Sequence, residues 1–149
     1  IIGVSDMEKA LTLYRDALGL NVVYDKTGKF DDLAGLSGGE GEFRKVLLKM
    51  SHEPVGAFSR LFGNIEVELV QALDKPVKTI MKGRSWGDLG FIHLCFDALD
   101  MDALGEKLSA KGFPFTVDSA NSFDMGDAAG RFTYIEDPDG TLIEFVETH

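Results

Sequence analysis

The chain of 149 residues is poor in cysteine and has no long apolar run. Its single cysteine, Cys95, excludes an intrachain disulfide and a cysteine metal cage, and it favours a reducing, cytoplasmic location. A membrane-spanning helix needs roughly 20 consecutive apolar residues. Because no stretch comes near that length, we expect no membrane partner. The chain also lacks an initiating methionine, so we expect its natural N-terminus to lie upstream of Ile1.

Positive charge is also scarce in this sequence. Fifteen Lys and Arg residues stand against twenty-five Asp and Glu residues, which gives a net charge of −10. Such a chain repels a phosphate backbone, so we expect no nucleic-acid partner. The net charge does not exclude binding of a small anion by a few local Arg or Lys side chains. The 44% of apolar residues is enough for one compact domain, or for two small halves that share a core.

What the chain does contain is one pattern that occurs twice. The first copy ends in a strand-like run, Val-Glu-Leu-Val, that contains Glu68, and the second ends in Ile-Glu-Phe-Val, which contains Glu144. Overlaying Asp6 on Asp100 also aligns two amphipathic helical patterns. The pattern predicts a duplicated unit of strand, helix and three strands. The alternative is that any two capped amphipathic helices overlay in this way.

The local signals predict where the helices and strands lie. Ser5 and Glu8 have the spacing of a capping box, which predicts Ser5 as the N-cap of the first helix, and Asp100 is predicted to cap the second helix. The stretch 26–42 is predicted to be a long loop, and 76–82 a short helix. Apolar patterns predict strands at 20–24, 44–50, 65–71, 91–96, 113–117, 131–136 and 141–147.

Three ionisable side chains lie inside apolar strand patterns, and these are Glu68, His93 and Glu144. Such groups are costly to bury unless something binds them. One imidazole and two carboxylates suit a divalent metal ion such as Zn, Ni, Mn, Fe or Co. The alternatives are a hydrogen-bonded core histidine, a solvated strand face that carries Glu66 and Glu68, or Glu66 as the ligand if the register is shifted by two.

The repeat also predicts a fourth ligand. His93 precedes Asp100 by seven positions, and the corresponding position before Asp6 lies two residues upstream of Ile1. We expect a His, or else a Gln, at that position of the natural protein.

Segments at both ends of the chain resemble a known superfamily. Val4–Ala10 with Tyr14–Leu20 at the start, and Tyr134–Glu144 near the end, are similar to the vicinal oxygen chelate superfamily. That group includes glyoxalase I, bleomycin resistance proteins, fosfomycin-modifying enzymes and extradiol dioxygenases. The resemblance implies an α+β fold in which two βαβββ modules form a curved eight-stranded mixed sheet around a metal cavity.

The resemblance also divides the chain into parts. A first βαβββ module with a truncated N-terminal strand is expected over 1–75, a linker over 76–90 and a second module over 91–149. Metal ligands would come from the first and last strands of each module, which matches the three ionisable residues named above. Members of the superfamily often pair their modules between subunits, so the resemblance implies a homodimer.

A glyoxalase I-like member would be a metal-dependent lyase or isomerase that transfers a proton next to a carbonyl. Its small-molecule substrate would be a metabolite or a thiol adduct, such as a glutathione adduct or an acyl-CoA. Glu144 is then the candidate for both metal ligand and catalytic base. Tyr134 is a candidate substrate contact, or else a core aromatic residue. Trp86 and Arg84 are candidate substrate-binding residues at the cavity mouth, unless Trp86 is a linker residue packed over the second module.

Other functions are compatible with the same resemblance. An isomerase similar to methylmalonyl-CoA epimerase is favoured by the runs Glu68–Gln71 and Ile92–Phe96. A non-catalytic protein that binds a small molecule such as an antibiotic would use the cavity without chemistry. An extradiol dioxygenase is disfavoured, because those enzymes need a histidine shortly before Tyr134, and 123–132 contains none.

Overall fold

The computed structural model describes residues 1–50, 53, 64–118, 122–124 and 129–148. The chain divides into two compact units. The first unit comprises Ile1–His52 and Asn64–Thr79, and the second comprises Glu53–Gly63 and Ile80–His149. Each unit has one four-stranded sheet and the chain order strand, helix and three strands. The α+β class and the two βαβββ modules are therefore confirmed.

The first unit builds its sheet around its last strand. Strand β4 (Glu66–Ala72) lies between β1 (Ile2–Gly3), to which it is parallel, and β3 (Phe43–Lys49), to which it is antiparallel. With β2 (Asn21–Gly28) the full order is β1-β4-β3-β2. Helix α1 (Met7–Leu11) continues directly into a π-helical segment. The elements are β1 (Ile2–Gly3), α1 (Met7–Leu11), the π-helical segment (Thr12–Ala17), β2 (Asn21–Gly28), β3 (Phe43–Lys49) and β4 (Glu66–Ala72).

Helix α1 begins one residue later than its capping box predicts. Asp6 is the N-cap, and its Oδ1 accepts hydrogen bonds from the backbone N–H groups of Glu8 and Lys9 at 3.1 and 3.2 Å. The prediction that Ser5 caps the helix is wrong, because the carboxylate of the next residue already satisfies these two N–H groups. The helical run ends at Gly19, whose φ of 82° is the left-handed conformation that glycine adopts most easily.

One face of the first sheet packs on the helical segment. Leu48 and Leu69 of the sheet, and Met7 and Leu13 of the helical segment, are at most 1% exposed. Each such side chain contributes about 1.5–3 kcal/mol through apolar burial. Because strand side chains alternate between faces, Glu68 lies on the opposite face of β4, away from this core.

The second unit repeats the arrangement. Strand β8 (Leu142–Thr148) lies between β5 (His93–Asp97), to which it is parallel, and β7 (Ala129–Glu136), to which it is antiparallel. With β6 (Ser122–Asp124) the order is β5-β8-β7-β6. The elements are β5 (His93–Asp97), α2 (Met101–Ala110), β6 (Ser122–Asp124), β7 (Ala129–Glu136) and β8 (Leu142–Thr148). No helix within the described part of the chain has the length and apolar character that crossing a membrane requires.

The core of the second unit also lies on one face of its sheet. Ile135 and Ile143 are 0% exposed, and Phe145 stacks on Phe96 with ring centroids 6.2 Å apart. Asp100 caps α2 as predicted, since its Oδ1 accepts a hydrogen bond from the backbone N–H of residue 103 at 3.0 Å. The cap positions at residues 6 and 100 are therefore equivalent, as the overlay of the two copies requires.

Two of the predicted elements are wrong. The stretch 76–82 is not a helix, because its β-branched residues favour a helix only weakly and its apolar side chains Val77 and Ile80 are exposed, at 54% and 67%. The stretch 113–117 is not a strand. Its proline at 114 has no N–H to donate to a ladder. The backbone N–H of Thr116 donates one hydrogen bond to the Tyr134 carbonyl, but the strand that pairs in register with β7 is Ser122–Asp124.

Candidate active site

Glu144 lies at the centre of a polar cluster on the second sheet. The register of β8 places it opposite Cys95 on one side and Tyr134 on the other. Its Oε1 accepts a hydrogen bond from the Tyr134 hydroxyl at 2.8 Å, and its Oε2 lies 3.1 Å from Nε2 of His93. The Glu144 side chain is only 16% exposed, so protein groups replace most of its water.

Strand alternation brings this cluster together. Ile143 and Phe145, the neighbours of Glu144, point to the core and are 0% and 2% exposed. Glu144 is therefore forced onto the other face of β8. On β5 the same rule places Phe96 in the core and His93 on the face of Glu144.

The Tyr134 hydroxyl is a permanent hydrogen-bond donor at neutral pH. Burial of the phenol raises the pKa of Tyr134 to about 12, helped by the hydrogen bond to Glu144 and by its charge. A hydrogen bond from the Trp86 side chain opposes this rise, which places Trp86 beside the cluster. Because the phenol keeps its proton, it holds Oε1 of Glu144 in a fixed orientation.

The His93 imidazole has bonding capacity that no described residue uses. A neutral imidazole has one N–H and one lone pair. Nε2 faces Glu144, whereas Nδ1 is buried and has no hydrogen-bond partner among the described residues. The ring meets Tyr134 edge to face, with centroids 5.5 Å apart. An unpartnered buried nitrogen is costly, and it is consistent with a histidine that binds a ligand.

The His93 and Glu144 pair fits a metal ion in part. Two atoms bonded to one ion at about 2.1 Å lie roughly 3.0–3.4 Å apart at right or tetrahedral angles. The 3.1 Å between Nε2 and Oε2 falls in that range, and an imidazole with a carboxylate is a donor set for divalent transition metals. Within either unit, the described residues contain no group of three or more His, Cys, Asp or Glu that could hold an ion. The second unit thus supplies two candidate metal ligands, His93 and Glu144.

The structure places Glu68 in an ion-paired cluster on the first sheet. Nζ of Lys45 lies 2.9 Å from Oε1 of Glu68 and 2.7 Å from Oδ2 of Asp32. The Lys45 side chain is 7% exposed, and its hydrogen bonds to Asp32 and then Glu68 raise the pKa of its ammonium well above the usual range. Lys45 is therefore charged at every physiological pH.

The Glu68 carboxylate nevertheless keeps an unused lone pair. Its Oε1 is buried and lies 2.9 Å from Nζ of Lys45, and no other group in the described part of the chain donates a hydrogen bond to it. Tyr24 approaches the same carboxylate, and burial together with the charge of Glu68 raises the pKa of the Tyr24 hydroxyl. Oε1 of Glu68 therefore has the Lys45 ammonium as its partner, whereas Nδ1 of His93 has no hydrogen-bond partner among the described residues.

Glu66, the alternative ligand, has a different environment. Its side chain is 52% exposed and pairs with Lys49 at 3.2 Å. The Glu68 side chain is 15% exposed. An exposed carboxylate with an exposed lysine is typical of a surface ion pair, so Glu68 is the stronger candidate of the two.

A small pocket of about 90 Å³ opens on the second unit. Trp86 and Arg84 both line it, together with Leu142, which pairs with His93 across the strands. The Arg84 guanidinium donates a hydrogen bond to the Leu89 carbonyl, and Trp86 is 69% exposed. The pocket therefore combines a fixed cation and an exposed aromatic ring, which can contact an anionic small molecule.

The partners of Glu68 are residues that sequence reasoning missed. These are Lys45, Asp32 and Tyr24. A usable signal was present in β3, because Lys45 shares a strand face with the buried Phe43, and a lysine on such a face needs a buried counter-charge. Asp32 lies in a Gly-rich acidic stretch that gave no comparable signal.

Solved structures share this fold. A glyoxalase family protein from Bacillus cereus is 18% identical with a TM-score of 0.76, over 99% of this chain and 89% of that one. A glyoxalase I mutant from Zea mays is 17% identical with a TM-score of 0.58, over 97% of this chain and 42% of that one. A FosX mutant from Listeria monocytogenes, a fosfomycin resistance protein complexed with Mn(II) and 1S,2S-dihydroxypropylphosphonic acid, is 14% identical with a TM-score of 0.54, over 97% of this chain and 83% of that one. At such identities the likeness shows the fold alone.

Sequence comparison identifies the family. No curated protein matches the chain. The family model described as Glyoxalase/Bleomycin resistance protein/Dioxygenase superfamily matches residues 1–145, which is almost the whole sequence. With both βαβββ modules present as well, this chain belongs to the Glyoxalase/Bleomycin resistance protein/Dioxygenase superfamily.

Proposed function

We propose that this protein is a glyoxalase-like, metal-dependent lyase or isomerase. It moves a proton next to a carbonyl of a small metabolite or of a thiol adduct, such as a glutathione adduct or an acyl-CoA. The observation that carries the proposal is the environment of Glu144, a largely buried carboxylate between His93 and Tyr134. A carboxylate held in this way suits general acid–base catalysis.

The proposed metal ligands are His93, Glu144 and Glu68. The 3.1 Å between Nε2 of His93 and Oε2 of Glu144 supports the first two, and the burial of the Glu68 side chain, which is 15% exposed, supports the third. A divalent ion bound there, whether Zn, Ni, Mn, Fe or Co, would polarise a substrate carbonyl and stabilise negative charge on its oxygen. The FosX structure shows Mn(II) in a protein of the same fold. The fourth ligand, upstream of Ile1, stays a prediction.

Glu144 is proposed to be the catalytic base as well as a ligand. Its Oε1 is held by the Tyr134 hydroxyl at 2.8 Å. Oε2 is therefore the oxygen that can exchange its contact with His93 for a substrate proton and then return that proton to the adjacent carbon. Arg84 and Trp86 in the nearby pocket are proposed to bind the anionic part of the substrate.

Deuterium exchange tests this role directly. The full chain, loaded with metal in D₂O, is incubated with hemithioacetals of glutathione and with 2-methyl-acyl-CoA, and proton NMR follows exchange at the carbon next to the carbonyl. Glu144→Gln is expected to slow exchange by about a thousandfold or more, because the amide cannot accept the proton. Glu66→Gln is the matched control and should leave the rate unchanged.

The exchange pattern also separates the candidate reactions. Net conversion of the hemithioacetal supports the glyoxalase-like reaction, whereas exchange in the acyl-CoA with inversion at that carbon supports the epimerase-like one. A wild-type rate of deuterium exchange in the Glu144→Gln variant would overturn the proposal.

A second candidate is a non-catalytic protein that binds a small molecule. One observation favours it, which is that Glu68 already has a cation, Lys45, at 2.9 Å. An internal ammonium can neutralise the carboxylate without a metal. Elemental analysis of protein purified without added metal separates the two candidates, because the enzyme should carry about one transition-metal ion per chain.

The proposal includes a cytoplasmic homodimer. Its support is the resemblance to a superfamily whose modules often pair between subunits, together with the single, unpaired Cys95. Sedimentation equilibrium measures the mass in solution, and a species of one chain at all concentrations would contradict the dimer.

A further inference from the structure

The pocket on the second unit contains two side chains of opposite charge. Arg84 and Glu136 both line it. The Arg84 guanidinium donates a hydrogen bond to the Leu89 carbonyl. The Glu136 side chain has no hydrogen bond or ion pair with any residue that the structure describes, Arg84 included. Both charges are therefore available to a ligand.

A short loop fixes the position of the Arg84 guanidinium. The backbone N–H of Arg84 donates to the Met81 carbonyl at 3.2 Å, which closes one turn. The next turn is closed twice, since the N–H of Ser85 donates to Oδ2 of Asp88 at 2.7 Å and the N–H of Asp88 donates to the Ser85 carbonyl at 3.1 Å. Because the guanidinium bonds to a carbonyl and not to a carboxylate, it keeps its charge and has further N–H donors for a ligand.

The strand register places Glu136 on the same face as the candidate active site. Glu136 lies opposite Leu142, and Leu142 lies opposite His93. Residues opposite each other share a sheet face, and so do residues two apart on one strand. Glu136 is therefore a diagonal neighbour of Glu144, about 7–8 Å away along the sheet. A ligand held in the pocket thus lies next to Glu144.

The size of the pocket limits what it can hold. Its volume is about 90 Å³, whereas a cavity of about 150 Å³ holds benzene. A group of up to about six non-hydrogen atoms therefore fits. Trp86 and Phe91 supply an exposed aromatic wall for its carbon atoms. The Trp86 side chain also donates a hydrogen bond to the Tyr134 hydroxyl, which in turn holds Glu144.

We propose that this pocket binds a zwitterionic group of the substrate, with an ammonium and a carboxylate on one small carbon framework, as in an α-amino acid. The carboxylate bonds to Arg84 and the ammonium to Glu136. Glu136 determines specificity, because its charge attracts the ammonium and repels an anion that lacks one. The inference rests on the proposed function, since the zwitterion is the part of the substrate remote from the carbon on which Glu144 acts.

Fluorescence of Trp86 tests this inference without any assay of activity. Trp86 is the only tryptophan of the chain, so its emission reports on this pocket. Metal-free full-length protein is titrated with L-alanine, with propionate, which lacks the ammonium, and with ethylamine, which lacks the carboxylate. L-Alanine should bind with a millimolar Kd, because so small a ligand makes few contacts. The other two should bind at least about tenfold more weakly.

Three variants assign the two charges. Glu136→Gln should weaken the binding of L-alanine by about tenfold and abolish its preference over propionate. Arg84→Gln keeps a donor for the Leu89 carbonyl but loses the charge, so both L-alanine and propionate should bind about tenfold more weakly. Glu106→Gln is the matched control. It removes an exposed carboxylate of α2, outside the pocket, and should change none of these affinities.

The outcomes separate this inference from the proposed function. Equal affinity of the wild type for L-alanine and propionate would show a simple anion site and refute the inference. An unchanged preference in Glu136→Gln, or no response to L-alanine at up to about 0.1 M, would refute it as well. If L-alanine binds as expected but Glu144→Gln exchanges deuterium at the wild-type rate, the zwitterion site stands and the proposed reaction falls. If Glu144→Gln stops exchange and L-alanine does not bind, the reaction stands and the zwitterion site falls.

Discussion

The two sheets place a glutamate at the same point of the same topology. In the first unit Glu68 lies on the strand between β1 and β3, opposite Leu47, and in the second Glu144 lies between β5 and β7, opposite Tyr134. Glu68 is paired with the ammonium of Lys45, whereas Glu144 contacts an imidazole and a phenol. The repeated backbone thus fixes where each carboxylate lies, and the neighbouring side chains decide its chemistry.

The difference in partners has a chemical consequence. The Lys45 ammonium neutralises the Glu68 carboxylate at neutral pH. Glu144 instead contacts the His93 imidazole and accepts a hydrogen bond from the Tyr134 phenol. A carboxylate without a cation beside it can accept a proton, so the proposed acid–base chemistry belongs to the second unit.

Truncation of equivalent core side chains in the two units tests the duplicated fold most strongly. Leu69 and Phe145 each follow their glutamate by one position and are 0% and 2% exposed. Leu69→Ala should lower the free energy of unfolding by about 2–5 kcal/mol and Phe145→Ala by about 3–5 kcal/mol, because each leaves a cavity. Urea denaturation followed by circular dichroism measures both. A loss below about 1 kcal/mol for one variant alone would show that the two cores are not equivalent.

Removing one hydroxyl from each cluster sharpens the comparison of the two carboxylates. Tyr134→Phe should slow the deuterium exchange by about tenfold, because Oε1 of Glu144 loses its donor. Tyr24→Phe should change the rate by less than about threefold, since Lys45 still holds Glu68. As the pKa of Tyr134 is about 12, its contribution should be constant between about pH 6 and about pH 9. Equal losses in the two variants would contradict the division of roles.

The smallest expected effects come from the two helix caps. Asp6 accepts hydrogen bonds from two backbone N–H groups and Asp100 from one. Asp6→Ala and Asp100→Ala should each cost about 1 kcal/mol of unfolding free energy, with the larger loss for Asp6. Asn at either position keeps the acceptor and serves as the control. If Ser5→Ala cost more than Asp6→Ala in the same denaturation experiment, the cap assignment would be wrong.

Much of the fold could be predicted from local signals. The repeat, the cap at Asp100 and the glutamate-bearing strands depend on spacing within a few residues, and the structure confirms them. The cap at Ser5 was wrong because two adjacent residues could both accept the N–H groups, and the geometry favours Asp6. The strand predicted at 113–117 was wrong, because Thr116 donates only a single backbone hydrogen bond to β7, at Tyr134, and the segment that pairs in register with β7 is Ser122–Asp124.

Part of the candidate site could be predicted in the same way. Ionisable groups that interrupt apolar strands predict His93 and Glu144 as site residues, and their Nε2 and Oε2 atoms are 3.1 Å apart in the structure. The contact of Lys45 with Glu68 was not predicted, because it joins residues 23 positions apart on neighbouring strands. The pairing register of those strands is a long-range property.

The sequence by itself determined the duplicated βαβββ order and the face on which each glutamate lies, because helix caps and strand alternation are local. Only the tertiary structure decided the partner of each carboxylate, which is Lys45 for Glu68 and His93 with Tyr134 for Glu144. Those partners meet through strand pairing between distant segments. The pairing is fixed by burial of whole sheet faces, which no local pattern contains.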